Sequence, residues 1–233
     1  MKLPSTLKAR FLRRENRFRV TVEVNGRLAA AHLPNSGRLR ELLVPGRTCY
    51  LVSRPAAHRR TPYDLLLVAH AGVLVSVDAR LPNRLFAEAV SAGRLAPFTD
   101  ATSLEPEVRY GESRLDFRLE GSAGACWVET KSVTLVERNT ALFPDAPTSR
   151  GRRHLAELAA LAQEGVRTAV VFIIQRPDAA AFAPHTEADP AFGLALTTAT
   201  TVGVEVYAFR CAVTRKKIYI AYQVPVVLPG DSE

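Results

Sequence analysis

Apolar and polar residues alternate with a period of two near the start of the chain. From Arg17 to Val24, Phe and Val occupy every second position and Arg, Thr and Glu the positions between, which is typical of a strand with one buried face. Asn25-Gly26 follows at once and is a strong hairpin signal. Three further strands are predicted over Thr48–Ser53, Tyr63–His70 and 72–78. About five short strands within residues 1–80 predict a small β-barrel such as an OB-fold.

The periodicity changes near residue 80. A helix is predicted over 81–92, with Pro82 near its start and Gly93 just after its end. The elements that follow are predicted as strands 107–110, 114–119 and 126–135, helix 149–163, strand 167–175, helix 189–201 and strand 204–212. Helices that connect strands imply a sheet with some parallel pairing. The chain is therefore predicted to be an all-β barrel, residues 1–80, followed by an α/β domain, residues 81–233.

Composition excludes several classes of protein. The chain has 233 residues, of which 47% are hydrophobic, enough for a core in one large or two small domains. The longest apolar run, residues 169–174, fits a buried strand and is too short for a bilayer helix. The basic N-terminus lacks the apolar core of a signal peptide, so we expect a cytoplasmic protein with no membrane partner. Three distant cysteines without CxxC spacing argue against a disulfide framework and a zinc site.

Positive charge is concentrated in the predicted barrel. Residues 1–80 contain 15 Lys and Arg against 5 Asp and Glu, whereas the rest of the chain contains 16 against 18. A one-sided basic surface indicates a polyanion binder, although a solvated basic face would give the same count. The candidate phosphate contacts are Arg13, Arg14, Arg17, Arg38, Arg40, Arg59 and Arg60 in the barrel and Arg114, Arg150, Arg152 and Arg153 in the second domain.

Two predicted neighbouring strands carry a candidate catalytic triplet. Glu129 and Lys131 are two residues apart and share a face. If their strand forms a hairpin with the preceding one, Asp116 can lie beside Glu129, on the face opposite Leu115, Phe117 and Leu119. Two carboxylates suit a hard divalent cation, which polarises a phosphodiester and acidifies a water, and a lysine can orient that water. A surface ion pair remains the alternative.

Several longer motifs resemble the sugar fermentation stimulation protein A family. They are Leu33–Gly37, Ser113–Phe117, Glu129–Leu135 and Phe143–Leu155, and together they extend the resemblance over nearly the whole chain. The resemblance implies an N-terminal OB-fold, a C-terminal PD-(D/E)XK nuclease-like domain with a mixed sheet, and DNA binding with little sequence preference. It departs at Ser36 and Thr130, where Thr and Val are expected, and we expect neither to contact a ligand side chain.

The same resemblance assigns roles to individual residues. It implies that Asp116, Glu129 and Lys131 occupy the nuclease positions and that Glu88, on the predicted helix, assists Asp116 and Glu129 as a metal ligand. Apart from the resemblance, His154 lies beside the apolar stripe of the 149–163 helix and is a further catalytic candidate, with a structural hydrogen bond as the alternative.

The leading hypothesis is a nucleic-acid-binding, Mg²⁺- or Mn²⁺-dependent nuclease that hydrolyses phosphodiester bonds with little sequence specificity. DNA is the expected partner, held through its backbone, and RNA and a homo-oligomer are left open. The second hypothesis is a DNA-binding regulator of sugar metabolism genes that retains the nuclease fold without turnover. An enzyme acting on sugar phosphates ranks third, because glycosidase-type carboxylate pairs need a deep pocket and no adjacent lysine.

Overall fold

A computed structural model describes residues 1–54, 59–111 and 113–230. The first part is a closed β-barrel, as predicted. Its strands are β1 (Leu7–Asn16), β2 (Arg19–Val24), β3 (Arg27–His32), β4 (Thr48–Ser53), β5 (Tyr63–His70) and β6 (Val73–Ser76). They lie in the order β3-β2-β1-β4-β5-β6, and a short parallel pairing of β3 with β5 closes the barrel. The predicted turn at Asn25-Gly26 joins β2 to β3, with φ angles of 50° and 76°.

Strand β1 was not predicted, although it lies at the centre of the barrel sheet between β2 and β4. Its sequence, LKARFLRREN, buries only Ala9 and Phe11. Lys8, Arg10, Arg13 and Arg14, together with two exposed or half-buried leucines, hide the alternation that identifies a half-buried strand. Pairing with two neighbours, and not local pattern, fixes this segment as a strand.

The second part is built on a six-stranded mixed sheet. Its elements are α1 (Leu81–Ser91), β7 (Ala101–Tyr110), β8 (Ser113–Gly121), β9 (Gly124–Val133), β10 (Leu135–Glu137), β11 (Thr140–Phe143), α2 (Ser149–Gln163), β12 (Arg167–Ile174), β13 (Ala181–Pro184), α3 (Pro190–Thr201), β14 (Glu205–Val213) and β15 (Ile218–Val224), with a short 3-10 helix over Ala96–Phe98. The main sheet has the order β15-β14-β12-β9-β8-β7. Strand β12 runs parallel to β9 and β14, whereas the other pairs are antiparallel. An all-β barrel followed by a mixed α/β domain confirms the predicted fold class.

Helices cover both faces of this sheet. Apolar residues of α1 pack with one face, and those of α2 and α3 pack with the other. Strand β12 is buried throughout, because Val171 and Ile173 face α1 while Val170, Phe172 and Ile174 face α2 and α3. Four strands were not predicted, namely β10, β11, β13 and β15, and β7 begins six residues before the predicted start. Within the described ranges, no helix is long and apolar enough to cross a membrane.

Buried polar contacts fix the barrel against the α/β domain. Gln175, at the end of β12, accepts from the Ser76 amide (3.0 Å) through its main chain and from the Ser76 hydroxyl (3.1 Å) through its side chain. Its side-chain amide donates to Ser132 on β9 at 2.9 Å. Ser76 and Gln175 are both fully buried. The end of β6 is therefore attached to the end of β9, next to Lys131.

A second contact places a barrel loop over the same region. Asp145 Oδ2, from the loop before α2, accepts from the Leu39 amide at 3.2 Å. A Cβ atom at Gly37 would lie 2.6 Å from this same oxygen, so the close approach of Asp145 requires glycine at position 37. The motifs Leu33–Gly37 and Phe143–Leu155 thus meet in space.

Candidate metal and nucleic-acid site

The β8–β9 hairpin brings the two predicted acids together. Phe117 pairs with Val128 at the end of this antiparallel ladder, and Asp116 and Glu129 are the residues adjacent to that pair. Burial and, after it, the Glu129 charge raise the pKa of Asp116, the second effect being the one expected of two neighbouring carboxylates. Asp116 and Glu129 therefore lie close enough to interact electrostatically.

Hydrogen bonds from Thr130 and Asn83 hold the Asp116 carboxylate in place. Its Oδ2 accepts from the Thr130 main-chain N–H at 2.8 Å and lies 2.8 Å from the Thr130 hydroxyl. Its Oδ1 accepts from the Asn83 side-chain amide at 2.8 Å, and the Thr130 hydroxyl is also 2.7 Å from Asn83 Oδ1. Thr130 therefore touches a candidate ligand, contrary to the expectation from sequence.

The prediction that Leu115, Phe117 and Leu119 share one face is wrong, although all three are buried. Leu115 packs in the core beneath α2 and α3, whereas Phe117 and Leu119 pack in the core beneath α1. Strand alternation is thus interrupted at Asp116. In the β7–β8 ladder Asp116 lies between the pairs Pro106–Phe117 and Val108–Leu115, level with Glu107, whose φ of 56° is in the left-handed region. The backbone is therefore irregular at the same point.

Glu129 and Lys131 share the face of β9 that packs against α2. They pair with Val170 and Phe172 of β12, both of which belong to the core beneath α2 and α3. Glu129 Oε1 lies 2.5 Å from Lys131 Nζ and 2.5 Å from Nδ1 of His154. All three side chains are at least nine-tenths buried. Glu129 Oε2 is also buried but has no hydrogen-bond partner among the described residues.

The two carboxylates have opposite pKa shifts. Burial and the nearby Glu129 charge raise the pKa of Asp116, against the hydrogen bonds from Thr130 and Asn83. Burial would also raise the pKa of Glu129, but the Lys131 charge and the His154 hydrogen bond outweigh it, and the pKa lies below its usual value. Glu129 is therefore held ionised, whereas burial and the Glu129 charge disfavour the charged form of Asp116.

His154 is a neighbour of Glu129 and does not face open solvent. Its Nε2 accepts from Arg150 Nε at 3.3 Å, which leaves the proton on Nδ1, the atom that faces Glu129. The first turn of α2 is fixed by Thr148, whose hydroxyl accepts from the Gly151 amide at 3.0 Å. Of the two readings from sequence, the geometry favours a positioning role for His154 over proton transfer to substrate.

The structure places Glu88 away from the cluster. Its carboxylate accepts from the Met1 amine at 2.9 Å and from Arg94 at 3.3 Å. Asn83 is the α1 residue that reaches Asp116. Glu88 comes five residues later on the same helix, which places it about 7.5 Å further along the axis and rotates it by roughly 140° away from Asn83. The role of Glu88 as a metal ligand is therefore wrong in this geometry.

Three of the predicted phosphate-binding arginines are only partly exposed and pair with main-chain carbonyls or with buried carboxylates. Arg14 directs all five of its donors at main-chain carbonyls, those of Asn16, Arg17, Asn35, Gly37 and Arg38. Its prediction as a phosphate contact is wrong, because no donor remains. Arg152 binds both oxygens of Asp189 at 2.9 Å, and Arg59 pairs with Asp64.

The other predicted arginines have side chains that reach solvent. They are Arg13, Arg17, Arg38, Arg40, Arg60, Arg114, Arg150 and Arg153. Arg17 lines a cleft of about 370 Å³ between the barrel loop 35–37 and residues 132–135 and 142–148. The cleft therefore runs from the basic barrel to the end of β9, directly after Lys131.

Sequence reasoning missed Asn83 and Thr130. Asn83 gives no local signal, because its partner is 33 residues away. Thr130 lies within the Glu129–Lys131 motif, and a threonine where valine was expected could have indicated a hydrogen bond to a neighbouring polar side chain.

Comparison with known proteins agrees with this architecture. Residues 12–77 match the family described as the SfsA N-terminal OB domain, and residues 80–217 match the Sugar fermentation stimulation protein RE domain. A sugar fermentation stimulation protein homolog from Desulforamulus reducens is 45% identical over 97% of this chain and 94% of that protein. One from Moorella thermoacetica is 51% identical over 91% and 92%.

A solved structure has the same fold over its full length. It is described as Pyrococcus furiosus SfsA in complex with Ca²⁺, and it superposes with a TM-score of 0.90 at 34% identity, covering 98% of both chains. Family matches across both domains, and relatives this similar over nearly the whole length, show that this chain belongs to the sugar fermentation stimulation protein (SfsA) family.

Proposed function

We propose that this protein is a nucleic-acid-binding, divalent-metal-dependent nuclease that hydrolyses phosphodiester bonds with little sequence specificity. The observation that carries the proposal is the convergence of Asp116 and Glu129 beside Lys131, with Glu129 Oε2 buried and unpartnered in the described part of the chain. A buried carboxylate oxygen without a donor is costly, and a bound cation would supply its missing partner.

The donor set fits Mg²⁺ or Mn²⁺. No three His, Cys, Asp or Glu side chains of the described ranges form a metal cluster, so Asp116 and Glu129 would be the protein's two carboxylate ligands. Mg²⁺ is commonly bound by one or two carboxylates together with waters and substrate phosphates. The Ca²⁺ complex of the Pyrococcus furiosus relative supports a divalent cation in this chain as well.

The residues around the cation would divide the chemical work. A bound divalent ion would polarise the phosphodiester and acidify a water. Lys131, held at 2.5 Å by Glu129, would orient the attacking water or stabilise charge on the phosphorane. His154 would keep Glu129 Oε1 in place, which leaves Oε2 directed to the cation.

The exposed arginines support binding through phosphate contacts. Arg17 at the cleft, Arg38 and Arg40 beside the 35–37 loop, and Arg150 and Arg153 on α2 leave cationic groups in solvent around the path to Lys131. Such contacts position a nucleic acid without reading its bases. DNA is the proposed partner, and RNA would be held by the same groups.

Metal binding tests the first part of the proposal. Calorimetric titration of the purified protein with Mg²⁺ and Mn²⁺ should show one site. Asp116→Asn and Glu129→Gln should each weaken it by at least tenfold, while Glu88→Gln, on a neighbouring element but outside the cluster, should leave it unchanged. Equal affinity in all four proteins would contradict the assignment of the ligands.

One observation favours the alternative, a DNA-binding regulator without turnover. Glu129 Oε1 is already occupied by Lys131 and His154, so only one of its oxygens is free for a cation. The regulator reading predicts salt-dependent DNA binding with no cleavage in Mg²⁺ or Mn²⁺, whereas the nuclease reading predicts cleavage that a chelator abolishes.

A further inference from the structure

A second cavity, of about 600 Å³, lies on the α1 side of the junction between the domains. It is lined by the segment Met1–Pro4, by the ends of β4 and β5 and by the start of α1. Asp116, Glu129 and Lys131 do not line it. Any ligand of this cavity would therefore be bound outside the candidate catalytic site.

Arginines outnumber acids in the wall of this cavity. Asp64 is buried, and three guanidinium groups lie within ion-pair distance of its carboxylate: Arg54 and Arg80 of the wall at 3.5 Å each, and Arg59, which is next to the cavity but does not line it. Asp78 is also buried and pairs with Arg80 alone. Two carboxylates thus face three arginines, which leaves one positive charge uncompensated.

Two further cations add to this excess. Lys2 and Arg84 line the same cavity and are exposed, and neither side chain has a partner in the described part of the chain. The local balance is then five cations against two anions. Cations this close repel one another, and an anion among them would remove that repulsion.

Arg80 is also oriented in advance by its partner. Arg80 donates to Asp78 through Nε at 2.8 Å and through Nη2 at 2.7 Å, so a bidentate pair fixes its plane. More than half of the Arg80 side chain and about half of the Arg54 side chain remain exposed. A fixed, exposed guanidinium matches the geometry of phosphate oxygens.

We propose that this cavity is a phosphate-binding site, separate from the candidate catalytic centre, in which Arg54, Arg80, Arg84 and Lys2 hold the anion. Its volume is within the range of small-molecule sites, and Val52, Leu66 and Leu81 give it an apolar wall. The phosphate could belong to a mononucleotide-sized ligand or to a nucleic-acid backbone, because both present the same oxygens.

The test uses the full chain in EDTA, so that its outcome does not depend on the metal site. Inorganic phosphate, AMP and a labelled single-stranded DNA oligonucleotide are each titrated against wild type, Arg84→Gln, Arg54→Gln and Arg27→Gln. Arg27 is an exposed arginine on β3 outside the cavity and gives the matched loss of one charge. Thermal unfolding of each variant reports whether the fold is kept. In Arg54→Gln the buried Asp64 still has Arg59 and Arg80 as ion-pair partners, so its charge remains compensated.

We expect Arg84→Gln and Arg54→Gln to weaken at least one probe by fivefold or more, with Arg27→Gln within twofold of wild type. Loss of phosphate and AMP binding would identify a small phosphorylated ligand, and loss confined to the oligonucleotide would identify a backbone phosphate. Equal loss in Arg27→Gln would show a diffuse charge effect and overturn the proposal. So would unchanged affinity for all three probes.

Discussion

Asp116 accepts from both the main-chain N–H and the side-chain hydroxyl of Thr130, each at 2.8 Å, and Thr130 is the residue between Glu129 and Lys131. These two hydrogen bonds connect Asp116 on β8 to the Glu129–Lys131 segment of β9. Asn83 reaches the same carboxylate from α1. The position of Asp116 thus depends on neutral donors, which favour its charged form against burial.

Thr130→Val should shift the pH dependence of cleavage. The hydroxyl of Thr130 lowers the pKa of Asp116, so its removal raises that pKa further, while the similar shape of valine keeps the strand. The acidic limb of Mg²⁺-dependent cleavage should move to higher pH, with little change on the plateau. Thr102→Val on exposed β7 is the control. An unshifted limb would mean that Asp116 does not control the acidic side of the profile.

Asp116→Asn should stabilise the fold at neutral pH. Burial raises the pKa of Asp116 when folded, so the ionised carboxylate costs the native state free energy, on the order of 1 kcal/mol per pKa unit. This cost is present above the folded pKa and disappears as the pH falls below the unfolded value, about 3.9. Unfolding temperatures of the two proteins should therefore differ at pH 7 and converge near pH 3. A variant less stable than wild type at pH 7 would contradict this.

Lys131→Ala should abolish cleavage and leave DNA affinity nearly intact. Lys131 is buried against Glu129 and contributes little charge to the surface. Loss of a group that stabilises developing charge costs about 100-fold to 1,000-fold in rate, whereas affinity should stay within about twofold since surface cations dominate it. Lys216→Ala, an exposed lysine, is the matched control. A fully active Lys131→Ala protein would refute its catalytic role.

Arg14→Ala should destabilise the barrel, whereas Arg13→Ala should not. Arg14 satisfies five carbonyl oxygens in the 16–17 turn and the 35–38 loop, and its loss should cost about 2 kcal/mol. The Arg13 side chain is 70% exposed, and its one ion pair with a described residue is to Glu15, at 3.6 Å, so its removal should cost below about 0.5 kcal/mol. Urea unfolding measures both. Similar midpoints for the two variants would contradict the structural role of Arg14.

The local sequence pattern correctly predicted those helices, strands and turns that can be identified from their own residues. The Asn25-Gly26 turn, the strands Thr48–Ser53 and Tyr63–His70 and the helix Ser149–Gln163 have the predicted bounds, because turn chemistry and periodicity act over a few residues. Strands β1 and β15 were not predicted, because their pairing with adjacent strands, and not their own sequence pattern, makes them strands. Their exposed positions carry arginines, or Tyr222 and Gln223, that obscure the alternation.

The candidate site was predictable only in part, for a related reason. Two-residue spacing was enough to put Glu129 and Lys131 on one face. The partners of Asp116, and those of Arg14 in the 35–38 loop, were not predictable, because tertiary packing brings them from 14 to 33 residues away. The same packing turned Glu88 away from the cluster, although helix α1 itself was predicted.

Metal-dependent cleavage tests the central claim most directly. Labelled single- and double-stranded DNA and RNA are incubated with purified protein in Mg²⁺, Mn²⁺ or EDTA, beside Asp116→Ala. We predict cutting of at least one substrate with either metal, and none in EDTA or with Asp116→Ala. Binding without cutting under every condition would contradict the nuclease assignment and leave the DNA-binding regulator as the function of this fold.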